Sequence, residues 1–218
     1  MNFDFLADIF FPPACAHCDA AVSKGTLCDK CRATIVPSRS FVRVACDNPR
    51  FSYLLGSAAS YGCPALKSLV HALKFRGIRS AALPLAELLI ECAVRMPLDL
   101  RDFIVIPVPL SKRRRRGRGF NQSEKIAVPF AAHFRLPVAA GLLVRARHTS
   151  PQSDAASVAE RMKNIRDCFA VRDPSSLAGR KVLLVDDVIT SGATFFEAAR
   201  TLHAAGARSI VALAVARA

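Results

Sequence analysis

Apolar residues at positions 66, 69, 70 and 73 recur at helical spacing up to Gly77, and a second helical pattern from Arg79 to about Met96 puts Ala82, Leu85, Ala86, Leu89 and Ala93 on one face. The run Phe103–Val108 has no polar interruption and reads as a buried strand ended by Pro107 and Pro109. A further helix is expected to start near Asn121, with Glu124 placed for a capping-box-like pair and Pro129 inside it removing one hydrogen bond. Strands are expected at 168–171, 181–185 and 209–215, the last two flanking a helix from Phe195 to Ala205 that Gly206 terminates. Strands alternating with helices, with continuous Val, Ile and Leu in the strands, predict an α/β fold, a doubly wound parallel sheet covered on both faces.

The front of the chain follows a different pattern. Phe3, Leu6, Ile9 and Phe10 have helical spacing that Pro12 and Pro13 stop, which predicts a short amphipathic helix docked on the body of the protein. Cys15, Cys18, Cys28 and Cys31 then read C-x2-C-x9-C-x2-C. Each C-x2-C turns its two sulfurs toward one point, and two such knuckles supply the tetrahedral thiolate shell that a structural zinc takes. The alternative is two chance pairs of reduced or bridged cysteines. His17 lies inside the first knuckle, where its backbone cannot fold back onto the same metal, and is expected on the surface. Cys46, Cys63, Cys92 and Cys168 are isolated and read as packing residues. The weak, turn-rich stretch from Pro37 to Asn48 sets the expected boundary between an N-terminal zinc-ribbon module, residues 1–45, and the α/β domain, 46–218.

Composition narrows the partners. Thirty-one Lys and Arg against 17 Asp and Glu leave a net charge of +14, which favours anionic partners such as phosphate esters, nucleic acid or lipid head groups. No uninterrupted apolar run approaches the roughly 20 residues of a membrane span. The N-terminus has acids where a signal peptide has Lys or Arg, so a cytoplasmic location is expected.

The stretch from Val182 to Thr194, VLLVDDVITSGAT, is a buried strand that ends in Asp186 and Asp187 and runs into a hydroxyl-rich turn opening a helix. Thr194 with Glu197 forms the pattern of a capping box, which would aim the first free amides of the helix into the turn. Those amides, the hydroxyls of Thr190, Ser191 and Thr194, and the room left by Gly192 beside Ala193 make a cradle for a phosphate monoester. The acids would repel that phosphate directly, and suit vicinal hydroxyls or a water-linked Mg²⁺ one step away. A ribose 5-phosphate bearing a pyrophosphate combines these groups.

Here the residues resemble a known family. Residues 182–194 look like the signature of type I phosphoribosyltransferases, which bind phosphoribosyl pyrophosphate (PRPP), with Ser191 where Thr is frequent. Paired acids at a strand end also occur in response-regulator receivers, but early in the chain and with no TSGAT turn. Together with the four-cysteine module, Leu73–Gly77 (LKFRG), Pro107–Leu110 (PVPL), Arg118–Gln122 (RGFNQ), Thr149-x-x-Gln152 and Arg161-x-x-Asn164, the chain is similar to the competence-associated ComF family over nearly its whole length. It departs in having Cys46 without a further cysteine partner nearby, and Ser111 where a His is common.

The resemblance implies a zinc-ribbon phosphoribosyltransferase using PRPP and Mg²⁺. Asp186 and Asp187 would be catalytic, residues 190–194 would hold the 5-phosphate, and Lys112, Arg113, Arg116 and Arg118, in a loop after Pro107, would hold pyrophosphate. A polar lid would lie within 145–161. Each has a plainer alternative: the arginine run can be a solvated loop, and Lys74 can simply complement a helix end or reach a phosphate. Two other functions stay open. One is a nucleic-acid-binding accessory protein of DNA uptake or recombination built on the same fold, contacting DNA or competence proteins. The other is a zinc-dependent interaction module without chemistry, which leaves the Asp-Asp turn unexplained.

Overall fold

The computed structural model describes residues 13–23, 25–38, 41–45, 51–146 and 165–218. The expected N-terminal helix, Cys46 and nearly all of the expected lid lie outside the described residues. Five strands form the central sheet: β1 (Phe41–Ala45), β2 (Ser52–Ser60), β3 (Phe103–Pro107), β6 (Lys181–Ile189) and β7 (Ser209–Arg217), in the order β1-β2-β7-β6-β3. All neighbouring pairs are parallel except β1 with β2, so the sheet is mostly parallel, as the uninterrupted apolar strands imply.

Alternate residues of each strand point to opposite faces, and each face has its own core. Val105, Leu183, Val185, Val211 and Leu213 pack under α2 (Pro64–Lys74), α3 (Ala82–Val94) and α5 (Gln122–Phe134). Ile104, Ile106, Val182, Leu184 and Ile210 pack on the other side under α6 (Ala193–Ala204). The two other α-helices among the described residues are short: α1 (Asp29–Ala33) belongs to the cysteine module and α4 (Lys112–Arg118) follows β3.

Several expectations need correction. The segment 168–171 is a strand, β5 (Phe169–Val171), but it pairs antiparallel with β4 (Leu143–Arg145) in a separate two-stranded sheet rather than joining the main one. β6 runs four residues past the expected end at Val185, so Asp186 and Asp187 stand within the strand and not beyond it. The arginine run is a helix and not a loop. Ser111 caps it by accepting the Arg114 amide, and Gly119 ends it at φ +78°. The capping box at Thr194 does not form: α6 starts from Gly192 at φ +78° with no side-chain cap, while Glu197 accepts the Asp167 amide at 2.7 Å and pairs with Arg200. A Cβ at Gly192 would sit 3.7 Å from Ile189 Cδ1, an ordinary contact, and it is the positive φ there that calls for glycine. Asn121 does start α5, accepting the Ser123 amide, but among the described residues Glu124 makes no return bond to it.

The cysteine module docks on the body of the protein. Cys15, Cys31 and Ile35 are buried in the same core as Leu66, and Arg32 forms ion pairs with Glu87 at 2.8 Å and Glu91 at 2.6 Å on α3. Phe41–Ala45, which falls before the expected boundary at residue 45, is the edge strand of the main sheet. Among the described residues no helix is long and apolar enough to cross a membrane.

Candidate functional site

The four sulfurs of Cys15, Cys18, Cys28 and Cys31 lie within 4.8 Å of one another, and Cys18 Sγ is 3.7 Å from Cys28 Sγ. Four thiolates about 2.3 Å from a tetrahedral zinc stand roughly 3.8 Å apart, so the cluster can hold a metal such as zinc with little adjustment. Burial opposes a charge on Cys15, yet backbone amides of Cys18, Cys28 and His17 outweigh it and bring this thiol down to about 6, toward the form that ligates metal. His17 is exposed and its Nδ1 is 3.1 Å from Ser68 Oγ, away from the cluster.

The larger site lies at the carboxyl ends of β3 and β6. These strands are neighbours, but α5, the second helix after β3, packs on one face of the sheet and α6, the helix after β6, on the other. The two connections therefore part, and a crevice opens between them, which is where open α/β sheets bind ligands. The crevice is a cleft of about 810 Å³ lined by Lys74 and Phe75 from the end of α2, Arg114 and Arg118 from α4, Gln122 and Ser123 from α5, Arg145, Asp186, Asp187 and Thr194.

Its floor is the acid pair. Asp186 accepts the buried Ser123 hydroxyl at 2.6 Å and the Asp187 amide at 2.9 Å. Burial and the adjacent Asp187 carboxylate push its pKa up to about 7, against the pull of Ser123 and Lys74. Asp187 is 3% exposed. Its Oδ1 pairs with Lys74 Nζ at 2.9 Å, whereas its Oδ2 is buried without a hydrogen-bond partner. A buried carboxylate oxygen left unsatisfied is costly, and in a cleft wall it is a place for a ligand's hydroxyl or a cation.

The cationic side of the cleft is built by α4. Burial lowers the Arg118 pKa, a nearby Asp187 opposes that and Arg114 adds to it. The Arg118 guanidinium lies 5.7 Å from the centre of the Phe75 ring, which is 71% exposed and edge-on to His71. Opposite, α6 begins at Ala193, so the amides of its first turn lack helical acceptors, and Thr194 presents its side chain to the cleft.

Of the residues singled out from sequence, Lys74, Asp186, Asp187, Thr194 and Arg118 meet in the cleft. Thr190, Ser191, Gly192 and Ala193 form the turn that leads to Thr194 but do not line the cleft themselves. Lys112 lines a second, smaller pocket, and Arg113 and Arg116 line neither. Sequence reasoning gave Ser123 no role, and named Gln122 only within RGFNQ, Arg114 only within the arginine run and Arg145 only as the start of the expected lid. For Ser123 the signal was its place in the first turn after the Asn121 cap; that its hydroxyl meets Asp186 is a tertiary fact.

Residues 121–218 match the Phosphoribosyl transferase domain family. The protein is thus of the phosphoribosyltransferase fold, with a four-cysteine module at its front. DNA utilization protein YhgH of Escherichia coli O157:H7 is 32% identical over 201 residues, covering 90% of this chain and 86% of that protein. Competence protein F of Haemophilus influenzae is 32% identical over 115 residues (52% of this chain, 50% of its own). Competence protein ComFC of Bacillus subtilis is 30% identical over 102 residues (47% and 39%). The chain belongs to the ComF family.

Proposed function

We propose that the cleft binds PRPP together with Mg²⁺ and transfers the phosphoribosyl group to an acceptor, in the service of DNA uptake or use. The observation that carries this reading is Asp187, whose buried Oδ2 has no partner within the protein while Oδ1 is held by Lys74. A ribose diol would donate to the Asp186 and Asp187 carboxylates. The turn before α6 and Thr194 would receive the 5-phosphate. The leaving pyrophosphate would face Arg114 and Arg118, whose planar forks match phosphate oxygens. The bond from C1 to the pyrophosphate oxygen breaks and a bond from C1 to the acceptor forms, so negative charge grows on the pyrophosphate as positive charge grows at C1. Arginines answer the first and the carboxylates the second. The Asp186–Asp187 pair would offer oxygen donors to Mg²⁺, directly or through water, and the bound ion would supply charge neutralisation for the pyrophosphate.

The relatives named for DNA utilization and competence support the cellular setting, and the mostly exposed basic α4 favours a second reading, a DNA-binding accessory protein without catalysis. Calorimetry with PRPP, with and without Mg²⁺, separates the two. PRPP binding that strengthens with Mg²⁺ and is lost in Asp187→Asn, while inorganic phosphate still binds, is the expected result. No PRPP binding under either condition would remove the transferase reading and leave the DNA-accessory one.

A further inference from the structure

α4 has two basic sides, and the cleft uses only one of them. Arg114 and Arg118 line the cleft; Lys112 and Arg115 instead line an adjoining pocket of about 320 Å³, which shares Pro109, Leu110 and Arg145 with the cleft. The other walls of that pocket bring Arg145 from β4 and Arg172, just after β5, together with the turn at Gly141. Among the described residues on its lining, Glu124 is the only carboxylate. The Arg145 guanidinium is seated on the Phe169 ring at 5.5 Å, and Arg172 Nη1 lies 3.8 Å from where a Cβ on Gly141 would be, so the pocket's cations come from three elements held in fixed relation.

The helix between the cavities is a physical anomaly. It has no buried residue to anchor it. Every pair along it at i,i+3 or i,i+4 that does not include Gly117 is a pair of like charges, each destabilising a helix. Among the described residues no carboxylate forms an ion pair with any of its cations. The Ser111 cap, the Gly119 stop and Arg118, which donates to Gln122 Oε1 and lies over Phe75, hold the ends of this short helix, but its cations still lack countercharge among the described residues. Anions on both sides would supply it.

We propose that the pocket between α4, β4 and the end of β5 is a second phosphoryl-binding site, distinct from the cleft, and that α4 is clamped between two phosphate groups when both are filled. Guanidinium groups converging from separate elements favour a phosphate over a carboxylate, because a phosphate offers more oxygens to planar donors approaching from different sides. The phosphoryl group can belong to a small phosphate ester or to a phosphodiester backbone. The proposal stands independently of PRPP in the cleft.

The test is an amide NMR titration of the full-length protein with inorganic pyrophosphate and, separately, with a short oligodeoxythymidylate. Gly141 and Arg172 report on the pocket, and Thr194 reports on the cleft. Shifts at Gly141 and at Thr194 with separate affinities are expected. Arg172→Glu, and independently Arg115→Glu, should weaken the response at Gly141 about tenfold or more while leaving Thr194 within about twofold. Arg208→Glu, which changes the charge equally at an exposed site elsewhere, should leave both responses in place. A response at Gly141 to pyrophosphate marks the pocket as a small-phosphate site, and a response to the oligonucleotide alone marks it as a diester site. No shift at Gly141 with either probe, or a shift that both pocket variants leave intact, would overturn the proposal. Failure of Thr194 to respond to pyrophosphate would count against the cleft reading only.

Discussion

The Lys74–Asp187 pair is the interaction whose loss should be felt most. Asp187 keeps 4% of its side chain exposed and Lys74 19%, with Nζ and Oδ1 2.9 Å apart. Replacing Lys74 by Met keeps the apolar stem and removes the charge. It leaves behind a buried carboxylate whose other oxygen already has no partner. Breaking a buried pair from one side costs about 3–5 kcal/mol, and because Lys74 retains some access to water in an open cleft the low end, about 3 kcal/mol, applies here. For a chain of 218 residues each kcal/mol corresponds to about 2–4 °C, so Tm should fall by about 6–12 °C. Thermal and urea unfolding of Lys74→Met, Asp187→Asn and the double variant close the cycle. The double variant, with a neutral amide in place of the stranded charge, should regain about 2 kcal/mol over Lys74→Met. A coupling below about 0.5 kcal/mol would refute the reasoning, since the pair would then behave like an exposed ion pair.

Two further predictions follow from the same structure. Asp186 has its pKa raised from 3.8 to about 7, so between those values the folded protein holds a proton that the unfolded chain has released; stability should fall as pH rises through this window by at most about 4 kcal/mol and level off above it, and the difference in urea stability between wild type and Asp186→Asn should carry that slope. Protein purified without chelator should hold about one zinc by elemental analysis, and Cys28→Ser should lose it, removing both a ligand and the sulfur that accepts the Cys31 amide at the start of α1.

What could be read ahead of the structure follows the reach of the signals. β3, β6, β7 and the helices α2, α3 and α6 rest on periodicities contained within a dozen residues, and these were legible. β1 and β2 were missed: β2 carries small and polar residues, LLGSAAS, whose burial comes from β7 alongside it and the cores above and below. β5 was found as a strand but its sheet was not, because pairing partners are chosen by tertiary geometry. The arginine run was read as a loop because its charge pattern gives no apolar face, and only the local cap at Ser111 and the stop at Gly119 mark it as a helix. Thr194 and Glu197 matched the spacing of a capping box, yet Arg200 and the Asp167 amide claim Glu197 more strongly. In the site, the acids and Thr194 were legible from one continuous motif. Lys74, Arg114, Ser123 and Gln122 come from three other helices, and their convergence is a property of the fold.

That convergence leaves the cleft with charges in tension. Asp186 is pushed toward its neutral form by burial beside Asp187, and burial works against the charge on Arg118. The acids and the arginines face the same space but, apart from Lys74 with Asp187, do not neutralise each other by direct pairing among the described residues. Adding an anion alone would relieve the arginines and worsen the acids; adding a divalent cation alone would do the reverse. A ligand that brings both, a polyphosphate carrying its metal, relieves both sides at once. The free-energy gain from the two together should therefore exceed the sum of the gains from each. On this argument the stretch DDVITSGAT and the arginine helix, 68 to 82 residues apart in the chain, form one electrostatic unit, with Lys74 as the ion-pair partner of Asp187.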